Sequence, residues 1–217
     1  MEELTLRCAG TVVPNARDRI RRYCGLPWSG GGGEAWAYRY YDAIPSPAGP
    51  RADDTIDPVD VITCAALHPG ITDRELAYFG SEAAAEVEWR ALRQYPVDVP
   101  LAEASPRELT FLRGLPQLVD RIGLSLLTKV LHRKRPEFVP IFDKRIVDAY
   151  RPLTGLRGVE AWPALVDAVR EDLADPENQR ILDDVQGELR PVLAGPVPSH
   201  LRLLDIAVWM GGVRRGG

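Results

Sequence analysis

Asp143 is the residue of this chain best suited to chemistry, because it is a single carboxylate at the end of a basic segment. The segment Lys129–Arg145 contains six lysines or arginines against two acidic residues, and it holds all three lysines of the chain. The whole chain carries a net charge of −4. An acidic protein that gathers positive charge in one place is expected to use it on an anion. The pattern indicates a nucleic-acid ligand, and the alternative is a solvated helix face with Asp143 as its cap.

A helical hairpin is predicted just before this carboxylate. Residues 117–133 have the outline of two short helices joined by a turn that contains Gly123 and Ser125. Backbone N–H groups at the start of the second helix are suited to holding a phosphate. Prolines favour extended backbone over residues 138–142, and Asp143 then opens the next helix, whose positive end favours a carboxylate.

These elements resemble the helix-hairpin-helix DNA glycosylase superfamily. Ile122-Gly-Leu-Ser125 stands where that family has a hydrophobic-Gly-hydrophobic-Gly turn, and Val139-Pro-Ile-Phe-Asp143 matches its proline-hydrophobic-Asp element. The resemblance implies a helical fold with Asp143 as the catalytic carboxylate. Ser125 departs from the second glycine, Thr128 departs from a small alanine, and the spacing to the aspartate is a little short. Leu127 occupies the position of the lysine nucleophile of bifunctional members, so the resemblance implies a monofunctional enzyme.

The basic segment and the resemblance together predict which residues contact DNA. The hairpin turn and the basic side chains after it would contact phosphates: Gly123, Ser125, Lys129, Arg133, Lys134, Arg135 and Lys144. For the lysines, the alternative is again a solvated face. Over most of its length the chain also resembles a group of uncharacterised actinobacterial proteins that share a Lys-x-x-His-Arg-Lys-Arg-Pro element, and this likeness implies no function.

Asp205 and His132 are predicted to be mainly structural. Nearly every neighbour of Asp205 in the sequence is apolar, and a buried carboxylate is costly unless it is paired. We expect Arg133 or Arg135 to be its partner. His132 follows the apolar Leu131 and is expected to be packed or hydrogen-bonded in the core, with a place in a base pocket as the alternative.

A second candidate region lies in the N-terminal part of the chain. Four consecutive glycines, residues 30–33, precede an aromatic run in which Trp36, Tyr38 and Tyr40 alternate. Alternation predicts a half-buried strand, and the alternative is a surface on which a base stacks. The weak candidates for a base pocket are Trp36, Tyr38, Tyr41, Asp42 and His132. A mobile aromatic flap favours a bulky base, such as a glycosylated pyrimidine of phage DNA, and hence a role in antiviral defence.

The chain is predicted to have a mainly α fold with about nine or ten short helices. Helix starts are marked by Asp57-Pro58, by a Thr72–Glu75 capping box and by Ser105-Pro106. Further helices are expected over residues 81–93, 159–173, 177–190 and 199–210. Residues 1–56 are expected to form a poorly regular N-terminal arm that ends in a linker, and residues 57–217 a helical glycosylase-like domain.

Composition narrows the class of protein. Three widely spaced cysteines and three scattered histidines do not match a disulfide framework or a metal site, and they suit reduced thiols in a cytoplasm. Neither a signal peptide nor a membrane span is expected. The prediction is a monofunctional DNA glycosylase that releases a modified base without metal or cofactor and with no obligate protein partner. The alternatives are a non-catalytic helix-hairpin-helix DNA-binding protein and a small-molecule N-glycosidase.

Overall fold

The computed structural model describes residues 3–27, 38–46, 54–68, 70–87, 91–118, 122–155, 158–211 and 214–215. These described residues are mainly helical, which confirms the predicted fold class, while the glycosylase-like arrangement stays a prediction. Within the described part, no helix is both long enough and apolar enough to cross a membrane.

Ten α-helices occur among the described residues. They are α1 (Ala16–Tyr23), α2 (Pro58–Thr63), α3 (Asp73–Phe79), α4 (Glu82–Val87), α5 (Pro106–Arg113), α6 (Leu124–Lys134), α7 (Lys144–Thr154), α8 (Trp162–Ala174), α9 (Pro176–Leu189) and α10 (His200–Trp209). Three short strands, β1 (Leu4–Leu6), β2 (Thr11–Val13) and β3 (Arg214–Arg215), form an antiparallel sheet in the order β1-β2-β3.

The predicted helix starts are confirmed by their capping contacts. The side chains of Asp57, Thr72 and Ser105 each form a capping box with the residue three positions later. Such a cap satisfies N–H groups that the first turn leaves unpaired, and it stabilises a helix by about 1 kcal/mol. The helices predicted near the C-terminal end of the chain are also found, as α8, α9 and α10.

The described N-terminal residues belong to the core, which corrects the expectation of a poorly regular arm. Leu4 and Leu6 are fully buried, and α1 packs on α10. The side-chain amide of Asn178 in α9 donates to the carbonyl of Thr5 at 2.8 Å and accepts from its N–H at 2.9 Å. Strand β1 is therefore joined to a helix that lies far away in the sequence.

The predicted aromatic strand is wrong where the structure describes it. Tyr38–Asp42 form a π-helical turn, in which Tyr38 and Tyr41 face the core and Tyr40 faces solvent. Residues three apart share a helical face, whereas alternation would place Tyr38 and Tyr40 together. Trp36 and the four glycines lie outside the described residues.

Two helices determine the surroundings of Asp143. Helix α10 packs against α1, α7 and α9, and eight of its ten residues are buried. Helix α6 is buried on nearly all sides, since nine of its eleven residues are inaccessible. The segment between α6 and α7 is fixed by Thr128, whose hydroxyl accepts from the N–H of Phe142 at 2.9 Å.

Candidate functional site

The predicted hairpin is described only in part. Residues 115–118 form a 3₁₀ turn, residues 119–121 lie outside the described residues, and α6 begins after Gly123. The N–H groups of Leu126 and Leu127 both donate to the carbonyl of Gly123. The N–H groups of Leu124 and Ser125 come earlier and have no carbonyl of α6 within reach, as at any helix start.

Gly123 itself has an ordinary backbone conformation. Its φ of −69° and ψ of 140° are open to any residue, and an added Cβ meets no described atom within 4 Å. A glycine requirement at this turn, which the family resemblance implies, is therefore not supported.

Most of the basic segment lies inside the protein, which corrects the prediction of a phosphate-binding surface. Lys129, Lys134 and Arg135 are only 1%, 5% and 1% exposed. Lys134 Nζ lies 2.5 Å from the Asp60 carboxylate, and Arg133 Nε lies 3.3 Å from it. Sequence reasoning missed Asp60, although an acid among Val59, Val61 and Ile62 is itself a signal of a buried partner.

The two arginines of this segment also bind backbone carbonyls. Arg133 donates to the carbonyls of Tyr41 at 2.5 Å and Ile44 at 2.9 Å. Arg135 donates to the carbonyls of Leu92 and Tyr95 and to the carboxylate of Asp54. These contacts join α6 to segments well before it in the sequence, so Arg133, Lys134 and Arg135 hold the fold together. Lys144, by contrast, has an exposed side chain that pairs with Asp148.

Asp143 is at the start of α7 and faces a buried lysine. Its Oδ1 accepts from the N–H of Arg145 at 2.9 Å, as a helix cap does. Its Oδ2 lies 3.5 Å from Lys129 Nζ, and the Asp143 side chain is 19% exposed while that of Lys129 is 2% exposed. Lys129 Nζ also donates to Ser125 Oγ at 2.7 Å. The structure thus brings three predicted site residues together, with Asp143 and Ser125 partly open to solvent and Lys129 buried.

Burial affects the charge of Lys129. Loss of hydration lowers the pKa of its ammonium group, and the charges of Asp143 and Asp205 oppose this effect. His68 is half-buried nearby, and its pKa is lowered by burial and by the charge of Lys129. No sequence pattern placed His68 close to Asp143.

Asp205 is buried as predicted, but its partner is Arg202 rather than Arg133 or Arg135. Asp205 Oδ2 forms an ion pair with Arg202 one turn earlier on α10. Arg202 also binds the Asp42 carboxylate at 2.8 Å and the Tyr23 hydroxyl at 2.5 Å. Asp205 Oδ1 lacks a hydrogen-bond partner among the described residues. Burial, followed by smaller charge effects, raises the pKa of Asp205 to about 6.

Three of the four described candidates for a base pocket lie together, and the fourth, Tyr38, does not line the same cleft. Tyr41, Asp42 and His132 line a cleft of about 220 Å³ together with Arg202 and residues of the loop before α10. Asp143 is not among the described residues that line it. Tyr38 is buried, and its hydroxyl donates to the carbonyl of Pro196 at 3.2 Å.

Two of these candidates also have structural roles. The Tyr41 hydroxyl donates to the carbonyl of Lys129 at 2.7 Å. His132 Nδ1 lies 2.7 Å from the carbonyl of Val139, which can only accept, so this nitrogen carries the proton. Burial lowers the pKa of His132 to about 4, so the ring is neutral at neutral pH. The expectation of a hydrogen-bonded core histidine is confirmed.

An exposed arginine and a tryptophan lie beside Asp143. The Arg145 guanidinium lies 4.9 Å from the ring centre of Trp209 and donates to that residue's carbonyl at 2.5 Å. Trp209 ends α10 and also packs edge-on against Tyr23. No group of three or more histidine, cysteine or acidic side chains in the described part is arranged to hold a metal ion.

Comparison with known proteins locates the chain in one family. No curated protein and no solved structure matches it. The model of a family of unknown function, DUF6308, matches residues 16–212. That span covers most of the chain and includes Lys129, Asp143 and Asp205. The protein therefore belongs to the DUF6308 family.

Proposed function

We propose that this protein is a monofunctional DNA glycosylase that hydrolyses the N-glycosidic bond of a modified base, with Asp143 as the catalytic carboxylate. The observation that carries the proposal is the position of Asp143. It is partly open to solvent at the start of a helix, ten residues after the end of the predicted hairpin, and its inner oxygen faces the buried Lys129 at 3.5 Å.

The chemistry suits a single carboxylate. Cleavage of the N-glycosidic bond leaves positive charge on the sugar, and a carboxylate held nearby stabilises that charge or activates the attacking water. Lys129 and the N–H of Arg145 each bind one oxygen of Asp143. A carboxylate held at both oxygens is fixed in orientation before the substrate arrives, so little reorganisation is needed during the reaction.

Contacts with DNA are proposed for a smaller set of residues than the sequence suggested. Lys144 and Arg145 follow Asp143 directly and are exposed, and the first N–H groups of α6 lie at the predicted hairpin turn. Phosphate contacts from these groups would position the strand without reading its sequence. Lys129, Lys134 and Arg135 are left out, because they are buried.

A small-molecule N-glycosidase is the second candidate, favoured by that same burial. Because three predicted phosphate contacts lie inside a chain of net charge −4, the attraction to a polyanion is weaker than the sequence indicated. A free nucleoside needs the carboxylate but no long basic surface. The third possibility, a non-catalytic DNA-binding protein, retains Asp143 as a helix cap only.

The identity of the base is the most specific part of the proposal. A bulky glycosylated pyrimidine of phage DNA, and hence antiviral defence, is supported only by the aromatic and glycine-rich composition of residues 28–41. Most of those residues lie outside the described part. Release of uracil, 8-oxoguanine or alkylated purines as fast as glucosylated hydroxymethylcytosine would contradict this choice.

One experiment separates the candidates. Single- and double-stranded DNA with one modified base each, and the matching free nucleosides, are incubated with the protein, and the released base is measured by mass spectrometry. Asp143→Asn should lower release by at least about a hundredfold. Asparagine caps helices as well as aspartate does, so α7 should keep its start, and circular dichroism verifies that the variant is folded. Asp184→Asn, a surface change on α9, is the matched control.

The outcomes differ between the candidates. If the protein releases a base from DNA and Asp143→Asn abolishes this release, the result supports the glycosylase. If bases are released only from free nucleosides, the result supports the small-molecule enzyme. Salt-dependent DNA binding without release from any substrate supports the non-catalytic alternative. Near-normal release by a folded Asp143→Asn variant contradicts the assignment of Asp143.

A further inference from the structure

Asp143 is the most exposed member of a group of charges, the inner charge cluster, formed by Asp42, Lys129, Asp143, Arg202 and Asp205. Asp42 and Asp205 pair with Arg202, Asp143 pairs with Lys129, and the charges of Lys129 and Asp205 interact. Its members come from the π-helical turn, from α6, from the start of α7 and from α10. With every group ionised, three carboxylates face two cations, so the cluster has one negative charge in excess. Interactions inside a protein are screened less than in water, so this excess acts on whatever binds at Asp143.

Asp205 is the member that the fold needs least. Arg202 already binds the Asp42 carboxylate and the Tyr23 hydroxyl, so it has a counter-charge without Asp205. Asp205 is only 7% exposed, and Oδ1 has no hydrogen-bond partner among the described residues. It also borders a small apolar cavity lined in part by Ile141 and Leu204. A buried carboxylate oxygen without a partner is costly, and such groups are common where function requires them.

We propose that Asp205 is a second functional carboxylate of this site, a positioning residue that acts on Asp143 through Lys129. The inference rests on the proposed function, because it concerns the positive charge that develops on the sugar beside Asp143. Ionised Asp205 attracts Lys129, so Lys129 neutralises Asp143 less completely. The negative charge of Asp143 then stabilises the positive charge on the sugar more strongly. When Asp205 holds a proton, the cluster is neutral and Lys129 neutralises Asp143 alone.

The proton on Asp205 makes this effect depend on pH. Its pKa is raised to about 6, mainly by burial and also by the charges of Asp143 and Asp42, while the charges of Arg202 and Lys129 oppose the rise. Two tyrosines on other helices also interact with its charge, Tyr23 on α1 and Tyr150 on α7. Below pH 6 Asp205 is protonated and above it is charged, so base release should increase as the pH rises through about 6.

The first test needs no substrate. Asp205 is followed by ¹³C NMR of labelled aspartate carboxyl groups in the full-length protein, over a range of pH. Asp143→Asn should lower its titration midpoint, because the charge of Asp143 raises it, and Lys129→Met should raise the midpoint. Asp184→Asn should leave it unchanged. A midpoint that neither Asp143→Asn nor Lys129→Met moves would overturn the inference, whether or not the protein releases bases.

The second test uses base release on the best substrate. Asp205→Asn keeps an acceptor for Arg202, and it should lower kcat on the order of tenfold at pH 7.5, which corresponds to about 1.4 kcal/mol. The rise of the rate near pH 6 should disappear. In the Lys129→Met background, Asp205→Asn should have little further effect.

Three results oppose the inference. An Asp205→Asn variant that is folded and keeps the wild-type pH profile overturns it, and so does a full additional loss in the Lys129→Met background. Trapping of Lys129 on the sugar by borohydride would assign a nucleophilic role to that nitrogen and overturn its role as an intermediary. If no substrate is cleaved by the wild-type protein, the proposed function fails and the NMR titration alone decides about Asp205.

Discussion

Asp60 should be among the most stabilising carboxylates of the protein, because it pairs with two buried cations. Its side chain is fully buried, and the side chains of Arg133 and Lys134 are 4% and 1% exposed. Asp60→Asn keeps the shape and removes the charge. Breaking a buried ion pair by removing one partner costs about 3–5 kcal/mol, since the other charge stays buried without compensation.

The size of this loss makes it easy to measure. A single domain is typically stable by about 5–15 kcal/mol, so Asp60→Asn should remove about a fifth of the total or more. In a chain of this size it should lower Tm by roughly 6–20 °C. We expect the decrease in the free energy of unfolding to be measurable by urea unfolding monitored by circular dichroism. Asp57→Asn, at the cap of the same helix, should change stability by less than about 0.5 kcal/mol, because asparagine is an equivalent cap.

A double-mutant cycle tests the cause. Lys134→Met removes one cation that Asp60 neutralises, so the Asp60→Asn/Lys134→Met variant should lose clearly less stability than the sum of the single changes. A loss below about 1 kcal/mol for Asp60→Asn would refute the reasoning. Additive losses in the double variant would also refute it. A Lys134→Met variant with normal stability and a weaker salt dependence of DNA binding would refute it too, because an exposed phosphate contact gives that result.

Three further predictions follow from the site. His132→Asn should make the free energy of unfolding depend less on pH on the acid side. The ring gains a proton near pH 6.5 in the unfolded chain but only near pH 4 in the folded one, so wild-type stability falls as the pH decreases. Between pH 7 and pH 5 the wild type should lose about 2 kcal/mol relative to the variant in urea unfolding, and equal slopes would contradict this. Gly123→Ala should leave Tm within about 2 °C of wild type in a thermal melt, because its backbone is ordinary and space is open; a larger decrease would mean that the turn is strained. Arg145→Ala, in a variant that circular dichroism shows to be folded, should weaken DNA binding and lower the salt slope by up to about 1 in a fluorescence titration. An unchanged slope would remove Arg145 from the interface.

The local part of the structure was predictable from the sequence, because caps and helical periodicity act over a few residues. Thr72 and Ser105 cap the helices that their patterns predicted, and Asp143 begins α7 as expected. The same reasoning placed Asp205 in the interior. These features depend on neighbours within one or two turns, and such neighbours are adjacent in the sequence.

The environment of the charges was not predictable, because a count along the chain does not reveal distant partners. Lys134 meets Asp60, and Arg133 meets the carbonyl of Tyr41, across 74 and 92 positions of sequence. Likewise Arg202 binds Asp42 from 160 positions away. A basic segment therefore looks the same in sequence whether it is solvated or buried, and only tertiary packing distinguishes the two.

The amide of Asn178 has a consequence for the solubility of the protein. Strand β1 is at the edge of its sheet, and an open strand edge is a template on which another chain can add a strand. Asn178 binds both backbone groups of Thr5, as a neighbouring strand would. The edge is thereby closed to other molecules as long as α9 stays docked. Local detachment of α9 would expose it together with the apolar Leu4 and Leu6, so self-association under mild destabilisation is expected to begin at this strand.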